Sequence, residues 1–244
     1  MIYEGDFLKK YLLLIIITLL VTGCTNREDK LIVATEAAFA PYEYYSNGEI
    51  KGVDIDIMRE VAKEMNKELK VKDVAFDSII AEVKTHKSDV GAAGISFTEE
   101  RAKQVDFSIP YIESKQVLVV KKNSSIRSPK DLKNIKVAVQ LGTLADSTLT
   151  DEYPEVQIVR EKKYMAAIQD LKDNKVQAVV MDYLPATRLI DNNLEILDEA
   201  VAIDAYSVIV DKGNSELLKT INRVIYRLKE EGKIDEYLLK HIGE

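Results

Sequence analysis

From Leu31 onward the chain alternates between two hydrophobic periodicities, and that alternation restricts its fold more than any other feature. Residues 31–35 and 69–74 are strand-length stretches rich in apolar and β-branched side chains. Between them Asp54 opens a helix in which Ile55, Met58, Val61, Ala62 and Met65 recur at i, i+3 and i+4 spacing. A short helix over 78–84 and a strand of small residues over 90–93 follow, then a helix capped by Thr98 and running to Lys103. The rhythm then repeats. Strands are predicted over 116–121, 135–140, 157–160 and 176–181. Helices are predicted after Ser128-Pro129, from Leu144, and over 164–173 and 184–191. Strands near 194–197 and 205–210 precede a long helix capped by Asn214, with Leu217, Ile221, Val224, Ile225 and Leu228 on its apolar face. Alternating β and α elements give an α/β fold, in which crossover helices cover both faces of parallel sheets. Ligands in such sheets sit at the carboxyl ends of strands, beside helix N-termini.

The first 30 residues follow different rules. Lys9 and Lys10 precede an apolar run over 12–21, and Thr22-Gly23-Cys24 comes directly after it. A basic patch, a short apolar core and small residues are the pattern of a secretory signal. The run is too short for a comfortable bilayer span, which takes about 20 residues. Residues 1–23 are therefore expected to be a signal peptide and 24–30 a polar tether. Cys24 is the single cysteine, so it has no disulfide partner within the chain. Val21-Thr22-Gly23-Cys24 resembles the bacterial lipobox, which implies that Cys24 is lipidated and anchors the protein to the extracytoplasmic face of the cell membrane. One acyl chain holds a protein only marginally, so stable anchoring needs multiple acylation, palmitate included.

The formal net charge of -7 argues against a nucleic-acid partner, which would need a basic face. It is compatible with a cationic small ligand.

Three loops at predicted strand ends carry the chemistry. They are residues 36–44, 93–101 and 140–143, with Asp182 ending the strand 178–181. Five stretches then stand in a telling order: Phe39-Ala40-Pro41-Tyr42-Glu43-Tyr44, Gly52-Val53-Asp54-Ile55-Asp56, Ala93-Gly94-Ile95-Ser96-Phe97-Thr98-Glu99-Glu100-Arg101, Val105-Asp106-Phe107-Ser108-Ile109-Pro110-Tyr111 and Val137-Ala138-Val139-Gln140-Leu141-Gly142-Thr143. Together they resemble the substrate-binding proteins of polar amino-acid ABC transporters, solute-binding protein family 3, with the type II periplasmic-binding-protein fold. The resemblance covers residues 31–242. It implies two doubly wound α/β lobes joined by two hinge strands. Carried onto this chain, lobe one is 31–111 plus 206–244 and lobe two is 112–205, with the crossings near 112–116 and 203–205. It also implies a monomer that encloses a free amino acid by hinge closure and delivers it to a permease, without cofactor or metal.

A free amino acid carries a carboxylate and an ammonium on one carbon, and both must be paired when buried. Arg101 has the planar fork that meets a carboxylate at two points, and backbone N–H groups of Gly94, Ser96 and Thr143 add donors. The resemblance implies that Asp182 takes the ammonium, with oxygens of Ala93 and Ser96 completing its shell. Phe39 and Phe76 match positions that sandwich the ligand side chain, and Gln140 opens the third loop. Glu36 stands where the family commonly has aspartate, reaching the far end of that side chain. A glutamate there favours a cationic tip, so arginine or lysine is the first expectation; accepting a bond from a glutamine amide is the alternative, and cystine is a third ligand.

An enzyme is the rival from another class, because cyclohexadienyl dehydratases share the fold. His86 and His241, the two histidines, are both expected at the surface, and the chain has no Gly-x-Ser-x-Gly elbow, no His/Cys metal spacing and no phosphate loop.

Overall fold

A computed structural model describes residues 27–243. Cys24 and the expected signal peptide lie outside the described residues. The first lobe begins with β1 (Lys30–Thr35), a small hairpin region of β2 (Ala38–Phe39), β3 (Glu43–Ser46) and β4 (Glu49–Lys51), and helix α1 (Val53–Glu64). It continues through β5 (Glu68–Asp73), α2 (Ile79–Lys84), β6 (Val90–Ser96), α3 (Glu99–Ala102) and β7 (Val105–Phe107). Strand β8 (Ile112–Lys121) leads into the second lobe, with β9 (Lys136–Gln140), α4 (Leu144–Glu152), β10 (Gln157–Glu161), α5 (Tyr164–Lys172), β11 (Ala178–Asp182) and α6 (Tyr183–Leu189). Strand β12 (Leu194–Asp211) returns to the first lobe, which α7 (Ser215–Glu230) and α8 (Lys233–Gly243) complete.

Among the described residues, β10-β9-β11-β8-β12-β6-β1-β5 form one sheet in that order, with β7 also on β12. Each lobe has a parallel set, β5-β1-β6 and β10-β9-β11, as crossover helices require. The two long strands β8 and β12 run antiparallel at the centre. Ile112 pairs with Tyr206, Ser114 with Asp204 and Gln116 with Ala202, so the two segments expected to cross between lobes lie side by side.

The apolar patterns explain most of these elements. Helix α7 buries Leu217, Ile221, Val224, Ile225 and Leu228 in a core cluster that also holds Ile57, Met58 and Val61 of α1. Burying five such side chains contributes on the order of 10 kcal/mol before conformational entropy is charged against it.

Four expectations need correction. Helix α1 starts at Val53 behind Gly52, and Asp54 turns its carboxylate inward, accepting from Gly94 N at 2.9 Å and Tyr111 OH at 2.7 Å. Gly52 is required there: its φ is 134°, and a Cβ would fall 1.9 Å from the Tyr42 carbonyl oxygen. The helix after Ser128-Pro129 is only a 3₁₀ turn over Pro129–Leu132, because Asn134 takes a φ of 60° and redirects the chain. The strands near 194–197 and 205–210 are one strand, β12, with register irregularities between Ile196 and Ala202 where Asp198 and Glu199 break the apolar run. Asn214 occupies the position before α7 without a side-chain cap bond, although the long helix itself is present over Ser215–Glu230.

Candidate functional site

The carboxyl ends of β1, β6, β9 and β11 point to the junction between the lobes, and a cavity lies there. Glu36 follows β1, Ser96 ends β6, Gln140 ends β9 and Asp182 ends β11. The cavity is lined by Glu36, Phe39, Phe76, Ala93, Gly94, Ser96, Gln140, Thr143 and Asp182, and also by Glu43, Gln116, Leu144 and Tyr164. Nine of the ten residues expected to bind ligand therefore meet at one place. The tenth, Arg101, borders a neighbouring recess with Phe76, Ile80 and Gly142.

Arg101 is held where it can serve both lobes. Thr98 caps α3 through its hydroxyl, which accepts from Arg101 N at 3.2 Å. The guanidinium donates to Ser96 O at 2.6 Å and, across the lobes, to Gly142 O at 2.7 Å. Its carbon lies 5.6 Å from the Phe76 ring centroid. Burial lowers its pKa, yet an arginine remains charged throughout the physiological range. A second bond between lobes runs from Gln140 Nε2 to Glu36 Oε2 at 2.7 Å.

On the opposite wall, Asp182 Oδ1 accepts from Gln116 Nε2 at 2.7 Å and from the Tyr206 hydroxyl, while Oδ2 accepts from Tyr164 OH at 3.1 Å. Asp204 accepts from Ser96 Oγ at 2.8 Å and from the same Gln116 nitrogen at 3.0 Å. Burial, followed by the nearby Asp204, pushes the Asp182 carboxyl up to about 7. Thr143 caps α4, and its hydroxyl donates to Gln140 O at 2.8 Å.

Phe39 and Phe76 both line the cavity, each with a partner of its own. Phe39 stacks on Tyr164 with ring centroids 5.9 Å apart and planes 22° off parallel. Phe76 carries the Arg101 guanidinium on its other side of the site. Gly94 leaves room for Phe39: a Cβ there would sit 2.6 Å from Phe39 Cε1.

The acidic wall is the least satisfied part. Among the described residues, the buried side-chain atoms without a hydrogen-bond partner are Thr35 Oγ1, Glu36 Oε1, both carboxyl oxygens of Glu43 and Gln116 Oε1. Three of those four residues line the cavity. Glu36 is 3% exposed and Glu43 is 1% exposed. Burial raises the Glu36 pKa, and burial with Asp54 alongside raises Glu43 well above the usual range. Glu43 faces Asp54 in a carboxyl–carboxyl contact that raises Glu43 further and helps hold Asp54 down against its burial. Burial likewise pushes Asp54 up to about 6. The cavity keeps open acceptors at Glu36 Oε1 and Gln116 Oε1.

Glu43, Gln116 and Tyr164 were not legible as site residues in the sequence. Glu43 lies inside the first loop, but nothing local signals that its side chain is buried. His241, expected at the surface, is buried at 1% exposure: Nδ1 meets Tyr44 OH at 2.9 Å and Nε2 meets Asp56 Oδ2 at 2.9 Å. His86 is exposed.

Residues 31–244 match the model of the bacterial extracellular solute-binding proteins, family 3, and the chain belongs to that family. Among its relatives is the arginine-binding extracellular protein ArtP of Bacillus subtilis, 30% identical over 94% of this chain and 96% of that one. The substrate-binding protein AbpA of Streptococcus pneumoniae, an amino acid ABC transporter component solved bound to L-arginine, superposes with a TM-score of 0.84 at 33% identity, covering 88% of this chain and 95% of that one. An ancestral arginine-binding protein bound to glutamine superposes with a TM-score of 0.82 at 38% identity, covering 88% and 99%.

Proposed function

We propose that this protein captures a free basic amino acid, arginine before lysine, by closing two lobes around it, and delivers it to an ABC transporter permease. The observation that carries the choice of ligand is the unpartnered Oε1 of Glu36 in a buried, acid-lined cavity. Unpaired buried acceptors cost free energy, and a guanidinium supplies five N–H donors in a planar fork. Arg101 takes the ligand carboxylate, trading its bonds to the Ser96 and Gly142 carbonyls for a charged partner. Asp182 takes the ammonium, and Phe39 and Phe76 flank the aliphatic stem. The Ser96 N–H and carbonyls near Ala93 complete the shell, whereas the N–H groups of Gly94 and Thr143 already donate to Asp54 and to the Gln140 carbonyl.

The lobes are taken as 31–111 with 206–244, and 112–205. The cavity volume of about 10 Å³ has room for about one water, so ligand exchange requires the lobes to part. The same reading makes the chain a monomer without a catalytic step, tethered outside the cytoplasm by lipidated Cys24.

A thermal-shift screen of the free amino acids tests the ligand. At a hundredfold excess over Kd, binding stabilises by about 2.7 kcal/mol, and arginine should give the largest shift. A larger shift with glutamine or cystine would overturn the role given to Glu36. Agmatine, which lacks the carboxylate, should not compact the protein in solution scattering; compaction equal to that with arginine would remove Arg101 from the closing mechanism.

A further inference from the structure

The lobes are also joined outside the cavity. Arg188, near the end of α6, donates through Nη2 to the carbonyl of His241 at 2.9 Å and to that of Ile242. These are carbonyls of the last turn of α8. A guanidinium suits such an end, because the final carbonyls of a helix have no partners within it and carry its negative dipole. Helix α6 packs on β8, β11 and β12, whereas α8 packs on α1 and α7, so the contact spans the two lobes.

Both ends of the contact lead back to the cavity. Helix α6 springs directly from Asp182, which sits at its N-cap position and lines the site. His241 ties α8 to Tyr44, whose chain neighbour Glu43 lines the opposite wall, and to Asp56 of α1. Asp56 also accepts from Lys240 Nζ at 2.9 Å, which pins the same turn of α8. Arg188 itself touches none of the cavity.

From this arrangement we infer that Arg188 is a positioning residue for ligand capture, a clasp between lobes that favours the closed state and slows ligand escape. The inference rests on the reading that the protein closes on an amino acid. A ligand that closes the lobes gains whatever the clasp contributes to the closed state, without contacting it. The clasp belongs to the closed state with or without ligand, so it biases the ligand-free protein toward closure and, once ligand is enclosed, slows its escape.

The test compares the full chain with Arg188→Ala and Arg188→Lys. In the ligand-free state, small-angle scattering should show Arg188→Ala more expanded than the wild type. L-arginine should leave Arg188→Ala roughly two- to fivefold faster, with association changed less, and Arg188→Lys should recover part of the loss. Because Arg188 is exposed, ligand-free thermal unfolding should be nearly unchanged, which separates positioning from a loss of fold. Superimposable ligand-free scattering curves, or unchanged dissociation of L-arginine, would overturn the clasp. If the wild type bound no free amino acid, the functional reading would fall, and the ligand-free scattering would still decide the clasp.

Discussion

One side-chain nitrogen, Gln116 Nε2, donates to two buried carboxylates, Asp182 at 2.7 Å and Asp204 at 3.0 Å. Strand β8 lies between β11 and β12, so a central glutamine can reach the acids on both flanking strands. The two N–H bonds of this amide help keep Asp182, the carboxylate proposed to take the ammonium, and its neighbour Asp204 together inside the protein. Replacing it by leucine strips a partner from each acid. Gln116→Leu should lower ligand-free stability by about 1–3 kcal/mol in urea unfolding and weaken amino-acid binding. Unchanged stability would show that the tyrosine and serine hydroxyls suffice.

The pH dependence has a definite sign. Burial raises Asp182 from 3.8 to about 7 and Asp54 from 3.8 to about 6 in the folded protein. Between the unfolded and folded values, the native state holds protons that the unfolded chain has released. The contribution of these two carboxyls to ligand-free stability should therefore fall as pH rises from about 4 to about 7, a trend read as the difference between the wild type and Asp182→Asn. Binding of a ligand ammonium should show the opposite trend, because it pairs with ionised Asp182, so affinity should drop on acidification below about 7. Parallel denaturation and titration calorimetry across this range would reveal the crossing trends; a stability difference rising with pH would contradict them.

Asp182→Asn should separate stability from function. An asparagine oxygen can still accept from Gln116 and Tyr206, and its amide nitrogen can donate to the Tyr164 hydroxyl, but it offers no charge to an ammonium. Affinity should fall about a hundredfold, equivalent to about 2.7 kcal/mol, while ligand-free stability stays level or rises because a buried charge is gone. Retained affinity would place the ammonium elsewhere.

Gly94→Ala probes the contact between backbone and aromatic wall. The φ of Gly94 is 54°, and the added carbon would meet Phe39 Cε1 at 2.6 Å. A cost of about 1–3 kcal/mol is expected, with Phe39 displaced and binding weakened. Wild-type affinity in this variant would remove Phe39 from the ligand-facing wall.

The fold was readable where side-chain period and element length agreed. Strands β1, β9 and β11 are short apolar runs bounded by polar residues, and α7 carries an unmistakable apolar stripe. The hairpin region β2–β4 escaped because its strands are two to four residues long and rich in tyrosine and glutamate. Cavity-lining residues were legible where they followed strands within motifs, as at Glu36, Ser96, Thr143 and Asp182. Glu43 and Gln116 were not, since a buried polar residue depends on partners from distant elements: Asp54 lies beside the first, and Asp182 and Asp204 accept from the second. His241 misled for a related reason, as α8 turns that face onto α1 and buries a residue near the end of the chain.

The route of the chain through β8 and β12 also bears on how the molecule is assembled. A core cluster in the second lobe draws its buried members, from Leu118 to Leu197, out of one uninterrupted stretch. The first lobe instead waits for α7, whose Ile221, Val224 and Ile225 share a core with Ile57, Met58 and Val61. A chain emerging from its N-terminus can therefore close this one cluster of the second lobe before α7 is available to the other core, which also takes in Tyr164, Ile168 and Leu171. The strand that returns the chain from one lobe to the other is also what makes that other core the last to finish.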